Sequence, residues 1–137
     1  MRFNHVTLIV TDLERSKAFY RALGLTQLVD SPPRYARFTF PNGDETLSLE
    51  VTAEAGAVSP ARAQLFFECP AVDDTVAALK SQGVAFERDP EDMFYGWREA
   101  RLRDPDGHDV RLYKDLGDFR LNPPWKMAAD ASSHPAG

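Results

Sequence analysis

The sequence predicts an α+β fold built from two βαβββ modules in tandem, and three observations carry that reading. Residues His5–Leu25 and Gln64–Val84 follow one pattern at a constant offset of 59 residues. Each copy is an apolar strand, a break, an amphipathic helix, then glycine and an apolar residue. Three further extended segments follow each helix, separated by Pro, Asn-Gly and Asp-Pro breaks.

In the first module the strand opens at His5, and Asp12 is placed to cap the next helix. Glu14 suits the positive end of that helix. Leu13, Ala18, Phe19, Ala22 and Leu23 form its apolar stripe, and Gly24 fits the left-handed position that ends it. Extended segments are expected over Leu25–Asp30, Arg34–Pro41 and Thr46–Thr52, broken by Pro32-Pro33 and Asn42-Gly43. In the second module Val72, Val76, Ala77, Leu79 and Lys80 repeat the helical spacing and Gly83 ends it. Ala71 stands where Asp12 stood, so the cap is expected from Asp73 or Asp74. Strands are expected over Val84–Arg88, Trp97–Arg103 and His108–Tyr113, with breaks at Asp89-Pro90 and Asp104-Pro105-Asp106-Gly107. The modules span 2–53 and 62–114, joined near Ala53–Ala61, and are expected to pair into one domain over 1–114. Residues 115–137 read as an extension in which Phe119, Leu121 and Trp125 can pack, with a disordered end holding an irrelevant His134.

A chain of 137 residues with 43% hydrophobic and 27% charged content has the composition of one globular domain. The net charge of −5 argues against a general nucleic-acid binder, which would present a basic face. Cys69 is the single cysteine, so no intrachain disulfide forms, and it reads as a small buried hydrophobe. Met1–Asp12 does not read as a signal peptide, and no apolar run approaches 18 residues. A cytoplasmic location, with no membrane and no nucleic acid as partner, is the expectation.

Four pieces carry a family resemblance: Phe3-Asn4-His5-Val6, the stretch Asp12–Leu25, Gly96-Trp97-Arg98-Glu99-Ala100, and Asp104-Pro105-Asp106-Gly107-His108. Together they resemble the vicinal oxygen chelate superfamily, which includes glyoxalase I, bleomycin resistance proteins and extradiol dioxygenases. The resemblance implies that the two modules form a curled mixed sheet with a central cleft. It also implies that a divalent ion, where one is bound, is held by His5, Glu50, Gln64 and Arg111 as the matching positions. His5 and Glu50 are sound ligands for Zn, Ni, Fe or Mn. Gln64 is a poor one. Arg111 has no lone pair to give, and its charge repels a cation. The cofactor is therefore either none or a divalent metal.

The alternative is that Arg111 replaces the metal as a fixed cation paired with Glu50. Alternation puts Gln64, Phe66 and Glu68 on one side of their strand and Asp109, Arg111 and Tyr113 on one side of theirs. Glu99, Arg101 and Arg103 share parity, so some of that charge reaches the same face. Trp97 lies in Phe94-Tyr95-Gly96-Trp97, which is either a loop over the cleft with Gly96 as hinge or structural packing. Phe3, Phe38, Phe40, Phe66, Phe67 and Phe86 read as core, and His108 as exposed. Two functions are consistent with these residues. One is a protein that binds a small, anionic molecule through His5, Gln64, Glu68, Trp97, Asp109, Arg111 and Tyr113. The other is a metal-dependent lyase, isomerase or dioxygenase working through His5, Glu50 and Gln64, with Glu50 moving a proton.

Sheets of this kind expose edges, which invite pairing. The expected assembly is a homodimer, with Leu121–Trp125 against the partner. Light scattering at micromolar concentration should return twice the chain mass, and a monomer there overturns the expectation.

Overall fold

The computed structural model describes residues 2–51 and 63–123. The joining segment, Trp125 and His134 lie outside them. The elements run in the order β1 (His5–Ile9), α1 (Leu13–Ala22), β2 (Thr26–Ser31), β3 (Tyr35–Thr39), β4 (Thr46–Glu50), β5 (Gln64–Glu68), α2 (Val72–Ser81), β6 (Arg88–Asp92), β7 (Trp97–Arg103) and β8 (Asp109–Asp115). Two four-stranded sheets result, ordered β1-β4-β3-β2 and β5-β8-β7-β6. The identical order in both is the structural form of the sequence repeat. No helix among the described residues is long and apolar enough to cross a membrane.

The chain divides into two compact units, each described on its own. The first holds the first module together with the turn Arg103–Asp109; the second holds the rest of the second module and, of the C-terminal extension, residues 115–123. In the first sheet β1 runs parallel to β4, while β3 is antiparallel to both β4 and β2. Leu8, Ala36, Phe38, Leu47 and Leu49 form its core row, with α1 packed on β3 and β4. The second sheet buries Ala100, Leu102, Val110 and Leu112, together with Val72, Val76 and Leu79 of α2.

Helix α1 starts as expected, since the Asp12 carboxylate accepts the Arg15 N–H at 3.1 Å. It ends at Gly24, whose φ of 101° would strain any residue with a Cβ. Its buried side chains are Leu13, Ser16, Lys17 and Tyr20, so Ala18 and Phe19 are not the inward stripe. Polar groups sit inward because each has a partner. Lys17 Nζ lies 2.8 Å from both Glu14 and Asp30. Helix α2 has no side-chain cap, and Asp73 is committed instead to Arg98 at 2.8 Å. The strand expected over Val84–Arg88 lies over Arg88–Asp92 and includes Pro90. Strand β6 is at the sheet edge and its register shifts between Arg88 and Glu91, and both features tolerate a residue without an N–H.

His108, expected at the surface, is buried. The cause is Asp104, whose carboxylate accepts the His108 N–H at 2.9 Å and the Asp106 N–H at 3.0 Å. It also accepts the Tyr20 hydroxyl at 2.7 Å and meets His108 Nδ1 at 2.7 Å. Asp106 in turn accepts the Thr11 N–H and hydroxyl, the latter at 2.7 Å. The turn is thereby fastened to the start and middle of α1. Phe3 is exposed and Phe66 half-exposed, whereas Phe38 is fully buried, so only part of the expected phenylalanine core is core.

Burial alone would raise the Asp104 carboxyl, but the bonds from His108 and Tyr20 outweigh it and hold the group below its ordinary value. The Asp104 bond raises the His108 imidazole despite burial. A raised imidazole stabilises the fold fully below its unfolded value of about 6.5 and loses that contribution as pH climbs through the folded value. A lowered carboxyl contributes above about 3.8 and loses its share as pH falls. The melting temperature should therefore decline as pH rises from about 6.5, and His108→Asn should flatten that decline. Tyr20→Phe should cost about 1–2 kcal/mol in urea unfolding, because a buried acceptor loses its donor.

Candidate functional site

Each sheet has one row of side chains turned toward its helix and one turned away from it, as period-two alternation requires. The second rows carry the polar chemistry. In the first unit that row joins His5, Thr7, Thr46, Ser48, Tyr35 and Arg37. Arg37 Nε donates to the Tyr35 hydroxyl at 2.9 Å, and that hydroxyl meets Ser48 Oγ at 2.6 Å. Ser48 Oγ lies 3.4 Å from His5 Nε2. His5 Nδ1 sits 2.5 Å from Thr46 Oγ1, and Nε2 sits 3.1 Å from Thr7 Oγ1. Both imidazole nitrogens are therefore engaged with hydroxyls.

Glu50 shares this face but not this place. His5 is level with Thr46 and Ile9 is level with Glu50 on the parallel pair β1–β4. Four residues separate them along the strands, about 13 Å at ~3.3 Å per residue. Side chains stand roughly perpendicular to a sheet, so two such residues do not close on one ion. Among the described residues no three His, Cys, Asp or Glu side chains are grouped to hold a metal. Gln64 opens β5 in the second unit, and Arg111 supplies a guanidinium where a lone pair is needed. The donor set does not fit a divalent ion.

In the second unit the corresponding row is charged and aromatic. Glu99 is 0% exposed. Its Oε1 accepts Arg111 Nη1 at 3.2 Å, and its Oε2 accepts the Tyr95 hydroxyl at 2.5 Å. The anion found against Arg111 within its own unit is thus Glu99 from the neighbouring strand, where the sequence pointed to Glu50. Arg88 Nη2 approaches the same Glu99 Oε1 at 3.6 Å. Arg111 lies over the Phe66 ring, 5.6 Å from its centroid. Phe66 meets Trp97 and Tyr113 edge to face, while Trp97 and Tyr113 stack with centroids 4.3 Å apart. Tyr95 abuts Trp97 at 5.9 Å. Burial first, and then the bond to Glu99, push the Tyr95 phenol up to about 12.

Of the residues expected at the site, Trp97, Arg111 and Tyr113 come together around Phe66. Glu68 ends β5, exposed, and its charge adds to the burial that raises the Tyr113 phenol. Asp109 is buried at the start of β8, and its N–H bonds to the Ala63 carbonyl at 3.3 Å. Sequence reading missed Arg88, held Tyr95 only as part of the Phe94–Trp97 loop, and noted Glu99 by its motif and its parity. The findable signal was Glu99 itself, an acidic residue two positions from Trp97 and two from Arg101 on one side of a strand. Gly96, just before β7, has φ 92°, and a Cβ there would lie 2.2 Å from the Phe119 ring. That close approach packs Gly96 against Phe119, while Phe94 in the same turn is exposed.

The repeat, the sheet order and the motifs define a tandem βαβββ protein. Its family is established by comparison with known proteins. Residues 2–112 match the Glyoxalase/Bleomycin resistance protein/Dioxygenase superfamily profile, and the chain belongs to that superfamily. Solved structures share the fold. A glyoxalase/bleomycin resistance protein/dioxygenase from Nocardioides aligns with a TM-score of 0.73 at 21% identity, over 93% of this chain and 90% of that one. Lactoylglutathione lyase from Agrobacterium tumefaciens aligns at 0.69 and 19% identity, over 84% and 94%. TioX from Micromonospora sp. ML1 aligns at 0.65 and 23% identity, over 85% and 100%. No curated protein matches the sequence.

Removing one partner of a buried ion pair strands the other charge. Glu99→Gln should therefore lower stability by about 3 kcal/mol in urea unfolding. Adding Arg111→Met should recover part of the loss. A change under about 1 kcal/mol for Glu99→Gln would show that the pair is not coupled as its burial implies.

Proposed function

We propose that this protein binds a small organic anion on the second sheet without using a metal ion. One observation carries the reading. Arg111 occupies the place where the family resemblance implies a metal ligand, and it lies between the buried carboxylate of Glu99 and an aromatic cluster. A small-molecule site needs apolar walls and a few fixed polar anchors. Phe66, Trp97 and Tyr113 provide the walls. Arg111, Tyr95 and Glu99 provide the anchors, each held by another. The site so described contains no activated nucleophile, which favours sequestration over turnover. A homodimer acting in the cytoplasm is the setting proposed for this activity.

Two measurements test it. Elemental analysis of the purified protein should find no stoichiometric metal, and after a chelator wash it should take up none when Zn, Ni, Fe or Mn is added. Stoichiometric metal lost in His5→Ala or Glu50→Ala would instead establish the metal-dependent lyase, isomerase or dioxygenase reading through His5, Glu50 and Gln64. Second, a flat organic anion such as 8-anilinonaphthalene-1-sulfonate should bind the native protein, and Trp97→Ala and Arg111→Ala should each weaken it about tenfold. Unchanged affinity in both variants refutes the assignment.

A further inference from the structure

Arg88 opens β6 and pairs across the sheet with Arg101 of β7. Its Nε and Nη2 atoms are buried, and neither makes a hydrogen bond. Those two atoms define one edge of the guanidinium, where two N–H bonds point the same way and match the two oxygens of a carboxylate. The nearest anion does not satisfy them. Glu99 Oε1 stands 3.6 Å from Nη2, an ion pair beyond hydrogen-bond range, and accepts Arg111 Nη1 at 3.2 Å. The other Glu99 oxygen is taken by the Tyr95 hydroxyl. Glu99 thus bonds Arg111 and Tyr95, and Arg88 is ion-paired to it without a hydrogen bond from Nε or Nη2.

Buried charged donors left in this state are costly and rare. Both atoms are shielded from water, while the Arg88 side chain as a whole is 30% exposed, so a ligand meets that edge only if the side chain turns it outward. Glu99 links the guanidinium to Tyr95, and Tyr95 abuts Trp97. A flat ring attached directly to the carboxylate would lie along that pair.

We infer that Arg88 is the carboxylate-binding residue of this face, and that the ligand is a small aromatic carboxylic acid. The acid's two oxygens bond Nε and Nη2, and its ring rests against Tyr95 and Trp97. This rests on the proposed small-molecule reading and goes beyond it by naming the functional group recognised and the residue that recognises it.

The test uses the full-length, 15N-labelled protein with sodium acetate, sodium benzoate and benzamide as probes. Trp125→Phe leaves Trp97 as the only tryptophan, so fluorescence reports the ring and the Arg88 Nε–H resonance reports the carboxylate. Benzoate should shift that resonance to saturation, quench Trp97, and bind at least tenfold more tightly than benzamide. Arg88→Gln and Arg88→Lys should both abolish the preference of benzoate over benzamide; the lysine variant keeps the charge and loses the paired donors. The wild-type resonance needs no variant, so a poorly folding mutant does not remove the test. Equal affinity for benzoate and benzamide overturns the role of Arg88 and leaves the aromatic site standing. A preference that survives in Arg88→Gln does the same. Acetate moving the Arg88 resonance while neither aromatic probe touches Trp97 sustains the carboxylate site and overturns the small-molecule reading of the aromatic face. No response to acetate or benzoate overturns both.

Discussion

Every strand in this protein must divide its side chains between a row that meets a helix and a row that does not, and the remaining features depend on that division. The inward rows are apolar in both modules, with Phe38, Leu47 and Leu49 in one and Ala100, Leu102 and Val110 in the other. Burial of those rows is the main source of stability, because apolar area removed from water is the dominant favourable contribution to folding. The outward rows are released from that duty and can carry charge. A fully buried Glu99 is possible there only because a guanidinium and a phenol reach it from adjacent positions.

The two outward rows have diverged in chemistry while their scaffolds stay the same. In the first unit hydroxyl groups surround a histidine, and both imidazole nitrogens meet them. In the second unit charge is concentrated against aromatic rings, and the buried Nε and Nη2 of Arg88 make no hydrogen bond. A closed polar network stabilises a fold and leaves little to offer a ligand. An open donor edge beside a flat aromatic surface does the reverse. That contrast favours the second sheet for ligand chemistry, although the sequence drew equal attention to His5 and Glu50.

Much of the fold was legible in the chain. The 59-residue repeat, the Asp12 cap, the helix-ending glycines and the Asp-Pro-Asp-Gly turn are local signals, and each acts through backbone geometry or a neighbour a few residues away. Local signals failed where a distant partner changed the outcome. The apolar stripe drawn from the sequence left out Ser16, Lys17 and Tyr20, yet with Leu13 they form the buried face of α1, because Asp106, Asp30 and Asp104 meet them. His108 read as a residue after a surface turn, and the same Asp104 draws it in. Pro90 read as a break, and a bulged edge strand accommodates it.

The candidate site was less legible for the same reason. Alternation alone placed Asp109, Arg111 and Tyr113 on one face and Glu99, Arg101 and Arg103 together on another strand. The sequence by itself therefore determined the module pattern, the helix limits and the charged character of the outward rows, all of which rest on periodicity and short-range chemistry. Only tertiary structure decided that Arg111 meets Glu99, that His5 and Glu50 stand four residues apart along their paired strands, and that the Arg88 donor edge is left unfilled. Strand order and register set which side chains become neighbours, and both arise from packing across many residues, which no single segment encodes.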